Sequence, residues 1–381
     1  MSIAYSLMPH DCIVLGVGGF GSGTLYHLAR RGARVLGIEQ FGIAHDRGSS
    51  HGETRIIRKA YFEHPDYVPL LLRAYELWRT LADECGRELY RETGLLLCGA
   101  ESGTAISGAR LAAERHRLRL DSLDEQEASR SFPGFRFPEG SSIVFEPEAG
   151  ALAVEECVRA HIQGAIAHGA EFKSNERVID WSATDSHVEV RTDRGTYRAA
   201  SLVITAGPWA GSVIRELGVP LEVARKITFW YPFAGETDRN ADVQRPVFFY
   251  DLPEGEFYGL PGADGASMKV AEHTGGSAVT DPTQVNRECL ADDAPPVNRF
   301  VERCLPGVRP EPLRHSVCMY TRTPDCHFLV DRHPGHANVF LGAGFSGHGF
   351  KFTSVIGEAL AELALEGRTD KPIRFLGLAR F

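Results

Sequence analysis

The stretch from Asp11 to Gln40 constrains this chain more than any other. It opens with an apolar run, Cys12-Ile13-Val14-Leu15, short enough for a buried parallel strand. Gly16-Val17-Gly18-Gly19-Phe20-Gly21 follows at once, then Ser22 to Arg31 with Leu25, Leu28 and Ala29 at helical spacing. A second apolar run, Val35 to Ile38, leads into Glu39 and Gln40. Gly16 permits a tight turn, Gly18 lets backbone N–H groups approach a pyrophosphate, and Gly21 lets helix and strand pack closely. The helix N-terminus, preceded by Gly19 and Phe20, then offers unpaired donors and partial positive charge to the phosphates. Glu39 stands about 20 positions downstream, where an acid accepts hydrogen bonds from a ribose. Strand, glycines, helix, strand and acid in this order specify a dinucleotide site, without distinguishing FAD from NAD.

Composition narrows the class. A chain of 381 residues is long enough for two domains. Its net charge of −9 argues against a nucleic-acid partner, which calls for a basic face. No run of about 18 apolar residues is present, so no membrane span is expected. The Met1–Ser6 start lacks the basic-then-apolar pattern of a signal peptide, and Ala379-Arg380-Phe381 is not a peroxisomal signal. Eight cysteines without a CxxC pair fit reduced thiols and a cytoplasmic location.

Residues 42–58 are rich in Gly, Ser and His and read as an ordered loop. Arg47, His51, Arg55 and Arg58 within it suggest anion binding, the planar Arg fork being suited to a carboxylate. Asp66 to Cys85 is an amphipathic helix whose Leu70, Leu71, Ala74, Leu77 and Trp78 stripe belongs to a core. Strands are expected at 94–98 and 142–145, and helices at 105–118 and 153–168. A run of short strands follows, and Ala200 to Gly207 is again a buried strand ending in glycine, with Pro208-Trp209 starting the next helix. This second strand–glycine–helix corner implies a nucleotide domain assembled from separated pieces. Residues 221–269, aromatic-rich and turn-broken, suit an antiparallel sheet over a small-molecule pocket. Within it Lys269 stands between apolar neighbours, and from pattern alone it reads as an edge-strand gatekeeper. Near the C-terminus the strand Val339-Phe340-Leu341 runs into a second glycine corner, residues 342–351, ahead of a helix over 352–365. Two such corners suit a long cofactor whose head group also meets backbone: the first takes the pyrophosphate of FAD, the second its isoalloxazine.

The blocks Ser50 to Tyr61, Cys318-Met319-Tyr320-Thr321 and Gly344 to Lys351 resemble those of monomeric sarcosine oxidases and the peroxisomal L-pipecolate/sarcosine oxidases, within the D-amino-acid-oxidase-type flavoproteins. The likeness runs nearly end to end; 201–209 and 331–334 look especially like the pipecolate-oxidising branch. The resemblance implies an α/β fold: a Rossmann-like, doubly wound FAD domain (1–85, 146–218 and 322–381) and an α+β substrate domain with a large antiparallel sheet (86–145 and 219–321). It implies oxidation of a secondary α-amino acid to the imine, with O2 as acceptor, in a monomer. By the same resemblance Cys318 joins the flavin 8α-methyl through sulfur, and Cys326 lies outside the motif. Arg58 and Lys351 hold the substrate carboxylate. Lys269 meets the flavin through water and activates oxygen. Tyr258, His273 and Tyr320 lie near the amine, and His51 and Arg55 beside the flavin ring. Ser50, Thr54, Val178, Ala206, Gly207, Trp209, Met319, Gly344, Gly347, His348 and Gly349 complete the cofactor contacts. Glu272 replaces an aromatic expected in some members, which leaves pocket size open. An NAD-dependent dehydrogenase and a non-catalytic flavin-binding module are the alternatives.

Overall fold

The computed structural model describes residues 9–235 and 245–381. The Met1–Ser6 stretch and the middle of the 221–269 region therefore lie outside the described residues.

His10–Leu15 is flanked by parallel partners, Val35–Ile38 and Thr196–Ile204, and these three strands form the centre of the first sheet. Cys12, Ile13 and Val14 have no exposed surface, which is why the run carries no polar residue at alternate positions. Val339–Ala343 pairs in parallel with the end of Thr196–Ile204, so the late strand joins the sheet one strand away from His10–Leu15. Helices Gly19–Arg30, Val154–Ala167 and Thr353–Glu366 pack together, sharing a core with Val68–Cys85. This arrangement gathers the ends of three strands and both glycine corners at one edge.

The second sheet holds nine strands, mainly antiparallel, with Val247–Leu252 running parallel to Leu95–Gly99. Phe229, Tyr231, Phe248, Tyr250 and Phe257 fill the core on one of its sides, where Phe300 of helix Ala294–Cys304 stacks on Phe257. That helix was passed over in the sequence although its signal is present: Val297, Phe300, Val301 and Cys304 recur at helical spacing behind two prolines and turn inward.

Several expectations need correction. The 42–58 segment is not loop throughout, because Thr54–Ile57 pairs with Gly150–Ala153 in a small third sheet that also holds Tyr90–Glu92. Tyr90–Glu92 thus crosses the proposed division of domains at residue 86. Pro208-Trp209 starts no long helix; a 3-10 turn leads into the four-residue Ala210–Val213. Lys269 is no edge gatekeeper. Its strand, Ser267–Glu272, is hydrogen-bonded on both sides, to Glu222–Pro232 and Gly255–Pro261, and the side chain is fully buried. Alternation of polarity cannot separate an edge lysine from a central one whose ammonium finds buried acceptors.

Candidate active site

The two glycine corners and the CMYT strand enclose one cavity of about 310 Å³. Gly16, Gly18, Gly19 and Phe20 line it from the first corner, with Glu39 and Gln40 beyond them. Gly344, Gly347 and Gly349 line it from the second, and the Phe20 and Phe345 rings stack 3.3 Å apart where the corners meet. Val178, Ala206, Gly207 and Trp209 close one end; Ser50, Arg55, Cys318 and Met319 stand along the remaining wall.

The walls suit a large dinucleotide. A Cβ on Gly21 would stand 1.9 Å from the Gly16 carbonyl oxygen, so this glycine serves helix–turn packing and lies outside the cavity lining. A Cβ on Gly18 would meet no atom within 4 Å. Protein packing therefore places no demand on Gly18, and open space above a helix N-terminus is what a phosphate requires. The Glu39 carboxylate accepts from Val17 N–H at 2.8 Å and Phe41 N–H at 3.0 Å, which aims it at the cavity. The Trp209 indole N–H and Thr321 hydroxyl, both in the lining, are buried without a partner among the described residues. FAD would use such donors.

Arg55, Tyr320, Gly347 and Phe350 also line a second, smaller compartment of about 60 Å³, so the two spaces share a wall. Arg58, Lys351, Tyr258, His273 and His348 are grouped around it, with Ile56, Phe62, Leu95 and Phe249 as an apolar side. Arg58 donates to both Glu63 oxygens, at 2.8 and 2.6 Å, and packs between the Tyr61 and Phe62 rings. Burial raises the Glu63 pKa, but Arg58, His348 and Lys351 outweigh it and bring it down to about 2. Lys351 donates to the His348 carbonyl at 2.7 Å; burial first, then Arg58, pulls its pKa down to about 7. His273 shares a 3.3 Å hydrogen bond with the Tyr320 hydroxyl, and burial holds it neutral, near 3. Glu272 is outside this lining, held by the Thr274 hydroxyl, so it does not set the compartment's size.

Besides Gly21, three predicted residues lie outside both linings. Lys269 donates to the carbonyls of Gly52 (2.6 Å) and Thr54 (2.9 Å), behind Arg55. Burial and the Arg55 charge drive its pKa well below the ordinary lysine value, so its charge is not a permanent fixture. His51 faces the Ser316 hydroxyl at 3.3 Å and burial keeps it neutral, near 3. Thr54 is reached only through its backbone. Lys351 and His348 line the small compartment and not the large one. Sulfur of Cys318 lies 3.6 Å from the Arg55 guanidinium and from the Ser49 carbonyl, whereas Cys326 is exposed and outside both linings.

The model of FAD dependent oxidoreductases, DAO, matches residues 11–363. The chain belongs to this family. It is 38% identical to the monomeric sarcosine oxidase of Bacillus sp. (strain B-0618) over 375 residues, covering 97% of this chain and 96% of the relative. It is 33% identical to the N-methyl-L-tryptophan oxidase of Yersinia pestis (strain Pestoides F), with 98% and 100% coverage. Among solved structures, the open form of NikD, an unusual amino acid oxidase essential for nikkomycin biosynthesis, superposes with a TM-score of 0.85 at 26% identity over 97% of both chains. As a DAO-family flavoprotein the chain is FAD-dependent, and no helix of the described residues is long and apolar enough to cross a membrane.

Sequence reasoning missed Glu63 and the apolar group Phe62, Leu95 and Phe249. Glu63 had a signal: a carboxylate five residues after a candidate anion-binding arginine. Leu95 and Phe249 had none, since each sits in a strand whose other residues are core.

Proposed function

We propose that this protein oxidises a small secondary α-amino acid, such as sarcosine or L-pipecolate, to the imine while reducing O2 to H2O2. The observation that carries this reading is the small compartment lined by Arg58 and Lys351 that shares Arg55, Tyr320 and Gly347 with the larger cavity. Held between the two glycine corners, FAD would supply the redox chemistry, hydride acceptance from the carbon beside the amine and electron transfer to O2. Arg58 and Lys351 bind the substrate carboxylate and so orient the amine, a contribution worth several orders of magnitude in rate. Arg58 enters this role already paired with Glu63, and Lys351 adds the titratable part of the compartment's positive charge beside the fixed charge of Arg55. The apolar side formed by Ile56, Phe62, Leu95 and Phe249 excludes water and, with the nearby cations, favours the neutral amine over the ammonium. No dedicated side-chain base is required. Tyr258, Tyr320 and neutral His273 supply polar contacts near the amine.

A panel of sarcosine, L-pipecolate, L-proline, N-methyltryptophan and glycated amino acids, assayed for peroxide in air without nicotinamide, tests the proposal. Peroxide from the small secondary amino acids supports it; turnover that requires NAD overturns it.

Lys351 gives the site a pH signature. Its lowered pKa, about 7, means the ammonium is present below pH 7 and lost above it. Affinity for methoxyacetate, sarcosine's ether isostere, is therefore expected to be flat below pH 7 and to weaken above it, by up to about tenfold per unit. In Lys351→Met the same titration should show no break; a break that persists would remove Lys351 from the carboxylate site.

A further inference from the structure

We propose that Arg380, outside the active site, positions the His348 ring and through it the Tyr61 hydroxyl beneath the carboxylate-binding cations, and so helps set affinity for the substrate carboxylate. This rests on the reading of Arg58 and Lys351 as the carboxylate clamp.

The chain of contacts is continuous. Arg380, in the 3-10 turn Leu378–Arg380, donates to the Asp325 carboxylate at 2.7 Å and to the carbonyls of Phe328 (2.6 Å) and His327 (3.2 Å). These contacts brace the turn between strands Arg314–Arg322 and Leu329–Arg332. The Thr323 hydroxyl closes the same turn by donating to the His327 carbonyl at 2.5 Å. At its tip Cys326 has φ +58°, a left-handed conformation that a non-glycine residue keeps only where its surroundings impose it.

That conformation directs the Cys326 carbonyl at His348 Nε2, 2.9 Å away. A carbonyl only accepts, so Nε2 carries the proton. Burial depresses the His348 pKa to about 4 and keeps the ring neutral. Nδ1 is then an acceptor, and the Tyr61 hydroxyl donates to it at 2.5 Å. The Tyr61 ring so fixed lies 4.2 Å from the Arg58 guanidinium carbon and 5.2 Å from Lys351 Nζ, within cation–π range of both. The Cys326 carbonyl thus fixes the histidine tautomer, the tautomer orients the tyrosine, and the tyrosine lies beneath the cations.

Holoenzyme variants test this by two readouts. Methoxyacetate Kd is read from the perturbation of the flavin's visible spectrum, and kcat and KM for sarcosine from peroxide formation. In Arg380→Ala, Kd and KM should each rise about tenfold with kcat within about twofold, and Arg380→Lys should recover part of the loss. Tyr61→Phe should weaken binding similarly, and adding Arg380→Ala to it should cost nothing further, since the relay is already cut. Unchanged Kd in Arg380→Ala, or losses that add in the double variant, would overturn the proposal. Should Arg380→Ala reduce the yield of folded protein, Arg380→Lys and Asp325→Asn, alone and combined with Tyr61→Phe, carry the same cycle. Arg58→Ala separates the two readings. If it leaves Kd unchanged, the clamp itself is wrong; if it weakens binding while Arg380→Ala does not, only the relay fails.

Discussion

Replacing Lys269 by Met is expected to slow flavin reoxidation by about 10²–10³-fold while changing flavin reduction by substrate several-fold at most. The Lys269 nitrogen donates to the Gly52 and Thr54 carbonyls, which fixes its position and uses both N–H donors of the neutral amine. Burial and the neighbouring Arg55 disfavour the ammonium in the structure at rest. On this reading, negative charge developing beside Lys269 during O2 reduction would favour its ammonium, and the ammonium would stabilise that charge. Arg55, which lines the cavity and donates to the same Thr54 carbonyl as Lys269, keeps its charge throughout. Stopped-flow measurement of the two half-reactions decides the matter: equal slowing of both would defeat the assignment.

Cys318→Ser is expected to abolish covalent attachment of the flavin completely. The wild-type protein should give a yellow pellet on acid precipitation, Cys318→Ser a colourless pellet, and Cys326→Ser a yellow one. The physical basis is placement: the Cys318 sulfur stands in the wall of the large cavity, 3.6 Å from the Arg55 guanidinium that donates to it. Cys326, on its exposed turn, has no such neighbour in the cavity wall. Colour retained by Cys318→Ser, or lost by Cys326→Ser, would contradict the assignment.

The first glycine corner was legible because its parts are contiguous: Gly16, Gly18, Gly21 and Glu39 fall within or directly beside one strand–helix–strand unit. The second corner was legible for the same reason, with Gly344, Gly347 and Gly349 directly after a buried strand. Lys269 was misjudged from pattern because a strand's position in its sheet depends on long-range pairing, here with residues 229–232 and 257–261. Thr54–Ile57 was overlooked because Thr54, Arg55 and Ile56 are only half-buried, and the strand's partner lies about a hundred residues away at Gly150–Ala153. Glu63 shows a different limit. A carboxylate paired with Arg58 looks like an ordinary surface residue until the fold places both against Lys351 and His348.

Anaerobic addition of sarcosine to the purified yellow protein tests the central claim most directly. The site described here predicts that the flavin's visible absorbance bleaches on mixing and returns when oxygen is admitted, with peroxide formed in step. A flavin that keeps its colour with sarcosine, L-pipecolate and every other secondary amino acid of the panel would contradict it.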